Sequence, residues 1–375
     1  MMTAVRKVEP SKGLVVEEIP IPNVGPDEVL VAVEAASVCG TDLHIWEWDE
    51  WSSQRIKTPM TVGHEFAGTV VETGRAVQHV AVGDYVSAES HVTCGMCFQC
   101  RTGQLHMCAR TRILGVDRDG AFADYIVLPE KVIWPNDRSK LPPEIATLQE
   151  PFGNGVFATL AHDLAGQSVG VLGCGPVGLF SVAIAKASGA ALVLAVDLND
   201  FRLDLAKTMG ADATLNARNV QDGDIARWLA DANESFGVDI VLEMSGAPSA
   251  IDSAFRGVRN GGRITLFGIP ASPVRIDVAE SMIFKNLTVL ALNGRRIFDT
   301  WYRTRWMLES GVVDLRPLIT HEMSFERIEE AMALLAAGDA CKIILRPKAN
   351  VDLAAADVET RIDQDPNIEG RVVHR

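Results

Sequence analysis

The chain has 375 residues, of which 47% are hydrophobic and 22% charged, and its net charge is −14. That is enough apolar material for more than one core, about two or three domains by length, and an acidic balance that repels phosphate backbones and argues against nucleic acid as a partner. The N-terminal MMTAVRKVEPSKG carries no signal segment and ALVLAV (191–196) is too short to span a bilayer, so a soluble, cytoplasmic protein without membrane partners and with reduced thiols is expected.

Residues 1–90 read as short strands between turn signals: EVLVAVEAASV, FAGTVVETG and VGDYVSAE are β-rich. The pattern predicts an antiparallel, barrel-like β domain. A cysteine loop fills 91–110, and GAFADYIVLPEKVIWPND returns to strands. PPEIATLQEPFGNGVFATLAHDL predicts helical stretches on either side of a Gly-Asn-Gly break.

The pattern then changes. QSVGVLGCGPVGLFSVAIAKASGA reads as an apolar strand, a Gly-rich turn and a helix, and LVLAVDLND as a second strand ending in an acid. FRLDLAKTMGA is a helix with a Gly stop; FGVDIVLEMSGAPSAIDSAFRGVRNGGRITLFGIP reads strand, helix, NGG turn, strand; NLTVLAL adds one more strand. Strands alternating with helices predict a parallel sheet, hence an α/β class for this part. Helices follow in TWYRTRWMLESGVV and in FERIEEAMALLAAG up to Gly338, then a last strand, CKIILRP. The acidic tail 349–375 has few large apolar residues and predicts no fixed fold.

Gly173-Cys174-Gly175-Pro176-Val177-Gly178 matches G-x-G-x-x-G between a strand and a helix. In that context Gly173 permits the turn, Gly175 lets a pyrophosphate reach the backbone, and Gly178 lets strand and helix pack closely. Asp197, nineteen residues after Gly178, is placed to accept hydrogen bonds from ribose hydroxyls, which favours NAD over NADP; Arg202 nearby would accommodate some NADP. Cys174, at a free position of the fingerprint, reads as a space-filling side chain.

CGMCFQCRTGQLHMC gathers four of the seven cysteines, Cys94, Cys97, Cys100 and Cys108, spaced C-x2-C-x2-C-x7-C. Four thiolates suit a closed, structural zinc site. A ferredoxin run would continue C-x3-C-P, and the fourth spacing here is seven. A second set, Cys39, His64, Glu65 and Glu150, offers a thiolate, an imidazole and carboxylates, enough to bind zinc while leaving a place for substrate.

GHEFAGTVVETG, the cysteine loop and VGVLGCGPVGL, in that order, resemble the medium-chain, zinc-dependent alcohol dehydrogenase superfamily over roughly residues 1–347. CGTDLHIWEWDEWS, PFGN, LEMSGAP, GRRIFDTWY and LITH look like its L-threonine 3-dehydrogenase family, with Asn293 standing where an aromatic residue is usual and GVFATL following PFGN in place of a more usual AVHTAL. The resemblance implies a GroES-like, β-rich catalytic domain from 1–160 and 298–348, with a zinc lobe at 91–110, around a Rossmann domain at 161–297. It also implies a homotetramer with two zinc ions per subunit. Carried over by position, Cys39, His64 and Glu65 would bind the catalytic zinc, with Glu65 either a direct ligand or behind the ligands, and Glu150 a further or exchanging ligand. Cys94, Cys97, Cys100 and Cys108 would bind the structural one. Thr41 and His44 fit a proton relay, Arg295 would lie near the cofactor phosphates, and His91 would line the substrate pocket. Trp46, Trp48 and Trp51 would wall that pocket or simply pack. The expected reaction is oxidation of a secondary alcohol by NAD, threonine first among substrates. A polyol or diol dehydrogenase shares most of these motifs; a binding protein that lost the chemistry would have lost part of this set, and a zinc-free quinone reductase would lack it.

Overall fold

The computed structural model describes residues 1–221 and 223–347; the tail considered above lies outside them. The strand Glu28–Ser37 is almost wholly buried and lies within a seven-stranded sheet. It pairs antiparallel with Glu65–Thr73, with Tyr125–Pro129 and with Lys342–Arg346. The last of these comes from the far end of the described chain, so both ends build one sheet. Ile319–Ser324 joins at the edge, parallel to Lys342–Arg346, through the helix Ile328–Ala337. That helix stops at Gly338, whose φ of +80° places it in the left-handed region.

The second sheet has six strands, all parallel: Ser168–Leu172, Leu192–Asp197, Ala213–Asn216, Val238–Glu243, Val258–Leu266 and Thr288–Ala291. Counted along the chain, their spatial order is 3-2-1-4-5-6. This is the Rossmann order, and it reverses direction beside the first strand, where open α/β sheets bind ligands. The first strand, SVGVL, is buried at every position, as a central parallel strand must be.

Two expectations are corrected. The helix Gln149–Thr159 runs through Gly153-Asn154-Gly155 without a break. The glycines serve close packing instead: a Cβ on Gly153 would lie 2.8 Å from Arg295 Cδ, and one on Gly155 would lie 2.9 Å from Phe180 Cβ. The NGG at 260–262 is not a turn between elements but part of the strand Val258–Leu266, absorbed as a shift of register against the neighbouring strand.

Nine of the eleven residues of Gln149–Thr159 are buried. It joins the two sheets: Phe152 meets Phe180 of the helix Pro176–Ala187 edge-on at 5.5 Å, and one apolar cluster runs from Ala35 and Ala67 through Phe152 to Val169 and Val171. Glu150 is thereby fixed between the antiparallel sheet and the nucleotide-binding fold. Among the described residues no helix is long and apolar enough to cross a membrane.

Candidate active site

Cys39 stands just past the strand Glu28–Ser37 and caps the helix Gly40–Glu47. Its N–H donates to Asp42 Oδ2 at 2.9 Å, which fixes the first helical turn. Thr41 Oγ1 lies 3.9 Å from Cys39 Sγ. His44, one turn on, has a largely exposed side chain, with Nδ1 2.6 Å from Asp49 Oδ2 and its ring edge-on to Trp51. One helix therefore carries a thiol, a hydroxyl and an imidazole from the interior toward solvent.

His64 ends the loop before the strand Glu65–Thr73 and is buried. Cys39 Sγ, a His64 ring nitrogen and a Glu65 carboxylate oxygen lie within 4.8 Å of one another. Burial works against charge on His64, but Asp42 and Cys39 outweigh it and raise its pKa. Asp42, absent from the sequence reading, is fully buried with Oδ1 3.7 Å from His64 Nδ1. Its signal was a C-x-x-D start to a helix. His64 Nδ1, Asp42 Oδ1 and Glu65 Oε1 are all buried without a hydrogen-bond partner. Orphaned polar atoms around a thiol and an imidazole are costly unless a cation binds there, and the donor set suits zinc.

Glu65 is engaged on its other side. Oε2 accepts from Lys342 Nζ at 2.5 Å and from the Ser37 hydroxyl, while Lys342 Nζ also donates to Val38 O at 2.8 Å. Glu65 is 0% and Lys342 1% exposed. Sequence reasoning passed over Lys342, the first residue of a strand.

Glu150 sits with a different group: Glu89, His91 and Glu150 bring ligand atoms within 4.8 Å of one another. His91 Nδ1 is 2.7 Å from Glu89 Oε1, and the Ser90 hydroxyl donates to Glu150 Oε1 at 2.6 Å. Arg295 fills the middle. Its Nε and one terminal nitrogen bond Glu89 at 2.8 and 2.5 Å, that same terminal nitrogen reaches Glu150 Oε1 at 2.5 Å, and the other reaches Asn154 Oδ1 at 3.2 Å. Trp301 Nε1 adds a bond to Glu89 Oε2 at 2.8 Å. Burial would raise the pKa of Glu89, but Arg295 and His91 hold it well below the usual range. The Arg295 side chain, expected near the cofactor phosphates, is 2% exposed, and its three nitrogens bond protein acceptors. Glu89, hidden in SAESH, is a further residue the sequence reading missed.

Of the three tryptophans, Trp46 packs in the core and bonds Glu329, Trp48 is half-buried, and Trp51 is partly exposed beside His44.

In the cysteine loop Cys97 Sγ lies 3.5 Å from Cys100 Sγ and 3.9 Å from Cys108 Sγ. A tetrahedron with metal–sulfur bonds of about 2.3 Å has sulfur–sulfur edges of about 3.8 Å, so the loop matches a bound ion and is too open for a disulfide. Backbone N–H groups of Cys94, Cys97 and Arg110 point at Cys108, Cys94 and Cys108 sulfurs. N–H donation from Met96 and Cys97 lowers the Cys94 thiol pKa to about 6, which favours the thiolate a metal needs.

At the switch of the parallel sheet, Gly173 has a φ of +98° and leads into the helix Pro176–Ala187, which begins at Gly175 with no side-chain cap. A Cβ on Gly178 would sit 1.9 Å from Gly173 O, whereas one on Gly175 would meet nothing within 4 Å. The open space lies where a phosphate would rest against the helix N-terminus. Pro176 and Val177 begin the helix and are half-buried. Asp197 ends the second strand of the parallel sheet; Oδ2 accepts from Cys174 N at 2.6 Å and Oδ1 from Asn199 N at 2.9 Å. Arg202 is half-buried on the helix Asp200–Thr208. Cys174 is fully buried.

Fold and site together define a dehydrogenase with a nucleotide-binding half and a metal-binding half. Residues 25–138 match the alcohol dehydrogenase GroES-like domain and 176–310 the zinc-binding dehydrogenase domain. A solved zinc-binding dehydrogenase from Sinorhizobium meliloti 1021, bound to NADP, superposes with a TM-score of 0.85 at 28% identity over 92% of this chain and 99% of that one. The 2R,3R-butanediol dehydrogenase of Bacillus subtilis gives 0.83 at 26% identity over 93% and 100%. The L-threonine 3-dehydrogenase of Symbiobacterium thermophilum is 47% identical over 347 residues, 92% of this chain and 98% of the relative. The chain belongs to the L-threonine 3-dehydrogenase family of medium-chain, zinc-dependent alcohol dehydrogenases. It is an oxidoreductase that acts on a small alcohol with zinc and a nicotinamide cofactor.

Proposed function

We propose that the enzyme oxidises L-threonine to 2-amino-3-oxobutanoate with NAD. The 47% identity to a threonine dehydrogenase over nearly the whole chain carries this reading; the butanediol enzyme stands at 26% and supplies the alternative of a diol or polyol substrate.

Cys39 and His64 would hold the catalytic zinc, with Glu65 and Glu150 as nearby carboxylates, and Cys94, Cys97, Cys100 and Cys108 a second, structural zinc. When bound, the catalytic ion would supply Lewis acidity toward the alcohol oxygen and NAD would supply the hydride acceptor. This chain's own residues handle the proton and the geometry. Thr41, whose Oγ1 lies 3.9 Å from Cys39 Sγ, would relay the hydroxyl proton, passing its own onward toward His44. His44, exposed and held by Asp49, would release that proton to water. His91, held by Glu89, would line the substrate pocket. Gly173, Gly175, Pro176, Val177 and Gly178 would seat the pyrophosphate, and Asp197 the adenosine ribose, favouring NAD, with Arg202 beside it. The catalytic part would comprise 1–160 and 298–348, and the cofactor part 161–297. We further propose a cytoplasmic homotetramer, as the family resemblance implies.

The test is NADH production from L-threonine, D-threonine, L-serine, 2,3-butanediol and sorbitol, with and without zinc chelation. Chelator-sensitive turnover of L-threonine is expected. Turnover of the diol or sorbitol alone would retain the mechanism and discard the substrate.

A further inference from the structure

Glu150 stands between two destinations. Its carboxylate is close enough to His64 and Glu65 to act on the charge of both. Yet the ligand atoms that cluster with it belong to Glu89 and His91, while Cys39, His64 and Glu65 form a set of their own. Arg295 bonds Glu89 and Glu150 together. Its guanidinium and the Ser90 hydroxyl both donate to Glu150 Oε1, at 2.5 and 2.6 Å.

The fold makes room for that contact. Gly153, three residues after Glu150 on the same helix, has no side chain where Arg295 passes, and a Cβ there would crowd Arg295 Cδ at 2.8 Å. Asn154, the next residue, accepts from Arg295, and Trp301 and His91 hold Glu89, which grips the guanidinium from the other side. Every group around the arginine is thus placed by another. Zinc with three protein ligands keeps a position for substrate; a fourth protein ligand closes it. A free carboxylate at this distance would be a good fourth ligand. Charge-assisted hydrogen bonds from a buried guanidinium are strong enough to compete for it.

We propose that Arg295 is a positioning residue that holds Glu150 outside the ligand shell of the ion bound at Cys39 and His64, keeping one coordination position open for the alcohol. The proposal rests on the ligand set given under the proposed function.

Zinc release to a colorimetric chelator tests it on the holoenzyme. Cys39→Ser should abolish one release phase and so identify the catalytic ion; a variant that keeps both phases would show the ligand set itself to be wrong. In Arg295→Met/Glu89→Gln, Glu150 is freed to close the shell. The catalytic phase should slow by about 10–100-fold and kcat should fall by a similar factor. Adding Glu150→Gln should restore the release rate, a rescue that general loosening of the fold would not give. Gly153→Ala displaces the arginine without removing charge and should slow release in the same direction, which keeps the test open if the double variant fails to fold. Release that is unchanged or faster in folded variants, or slow release that persists after Glu150→Gln, would overturn the proposal.

Discussion

Replacing Lys342 by methionine probes one of the fully buried ion pairs at the site. Lys342 Nζ and Glu65 Oε2 are 2.5 Å apart, and both side chains are 2% exposed or less. At an effective dielectric of about 20, two unit charges at that distance attract by about 7 kcal/mol. The cost of taking both from water cancels much of this, so the pair's net contribution is small. Removing only the lysine is different, because the carboxylate then stays buried without its counter-charge, a loss of roughly 3–5 kcal/mol. Burial already raises the pKa of Glu65, with Lys342 pulling it down. Without the lysine the carboxyl rises further and binds a proton on folding, so the deficit should shrink as pH falls and grow as pH rises. Thermal melts of protein stripped of the catalytic-site ion should place Lys342→Met roughly 6–20 °C below the equally stripped parent. Lys342→Met/Glu65→Gln should recover most of that loss, since the amide keeps a group for Ser37 and carries no charge. A single variant within about 1 kcal/mol of the parent, or a double variant as unstable as the single, would refute the reasoning.

Cys97→Ser should reduce bound zinc by one ion per chain and lower the melting temperature more than it changes kcat; unchanged metal content and melting would contradict the four-thiolate site. Asp197→Ala removes the acceptor for Cys174 N as well as the ribose contact, so KM for NAD should rise about 10–100-fold while NADP is affected less, as measured by cofactor titration. Burial, then Arg263, lowers the pKa of His162 to about 4. The unfolded chain therefore takes up a proton near pH 6.5 that the folded chain refuses, and stability present above 6.5 is lost as pH falls toward 4. His162→Gln should flatten the melting temperature over that window, and an equally steep profile would show that another group is responsible.

Much of this architecture is written locally. The Gly173–Gly178 fingerprint and Asp197 are one strand–turn–helix–strand passage, and four cysteines in fifteen residues need no distant partner to be read. The same local reading went wrong at Gly153-Asn154-Gly155, where glycine was read as punctuation. There its meaning is tertiary: two neighbouring side chains, Arg295 and Phe180, occupy the space a Cβ would need. The NGG of 260–262 misled for a related reason, because pairing with Val238–Glu243 absorbs the extra residues as a bulge.

The charge balance of the active site was illegible for a deeper reason. Cys39, Asp42, Glu65, Glu89 and Glu150 converge on it, yet the buried cations that answer them are Lys342 and Arg295. Lys342 lies 277 positions from Glu65, and Arg295 lies 206 from Glu89. Each cation sits in an unremarkable segment, one at the head of a strand and one after a Gly. Lys342 has no motif, and although Arg295 lies in GRRIFDTWY, nothing in that stretch names its acids: the requirement is set by an acid on another element and by the absence of water. Those two cations leave His64 Nδ1, Asp42 Oδ1 and Glu65 Oε1 buried without a hydrogen-bond partner. A divalent ion bound among them would supply the positive charge that the two buried cations do not provide.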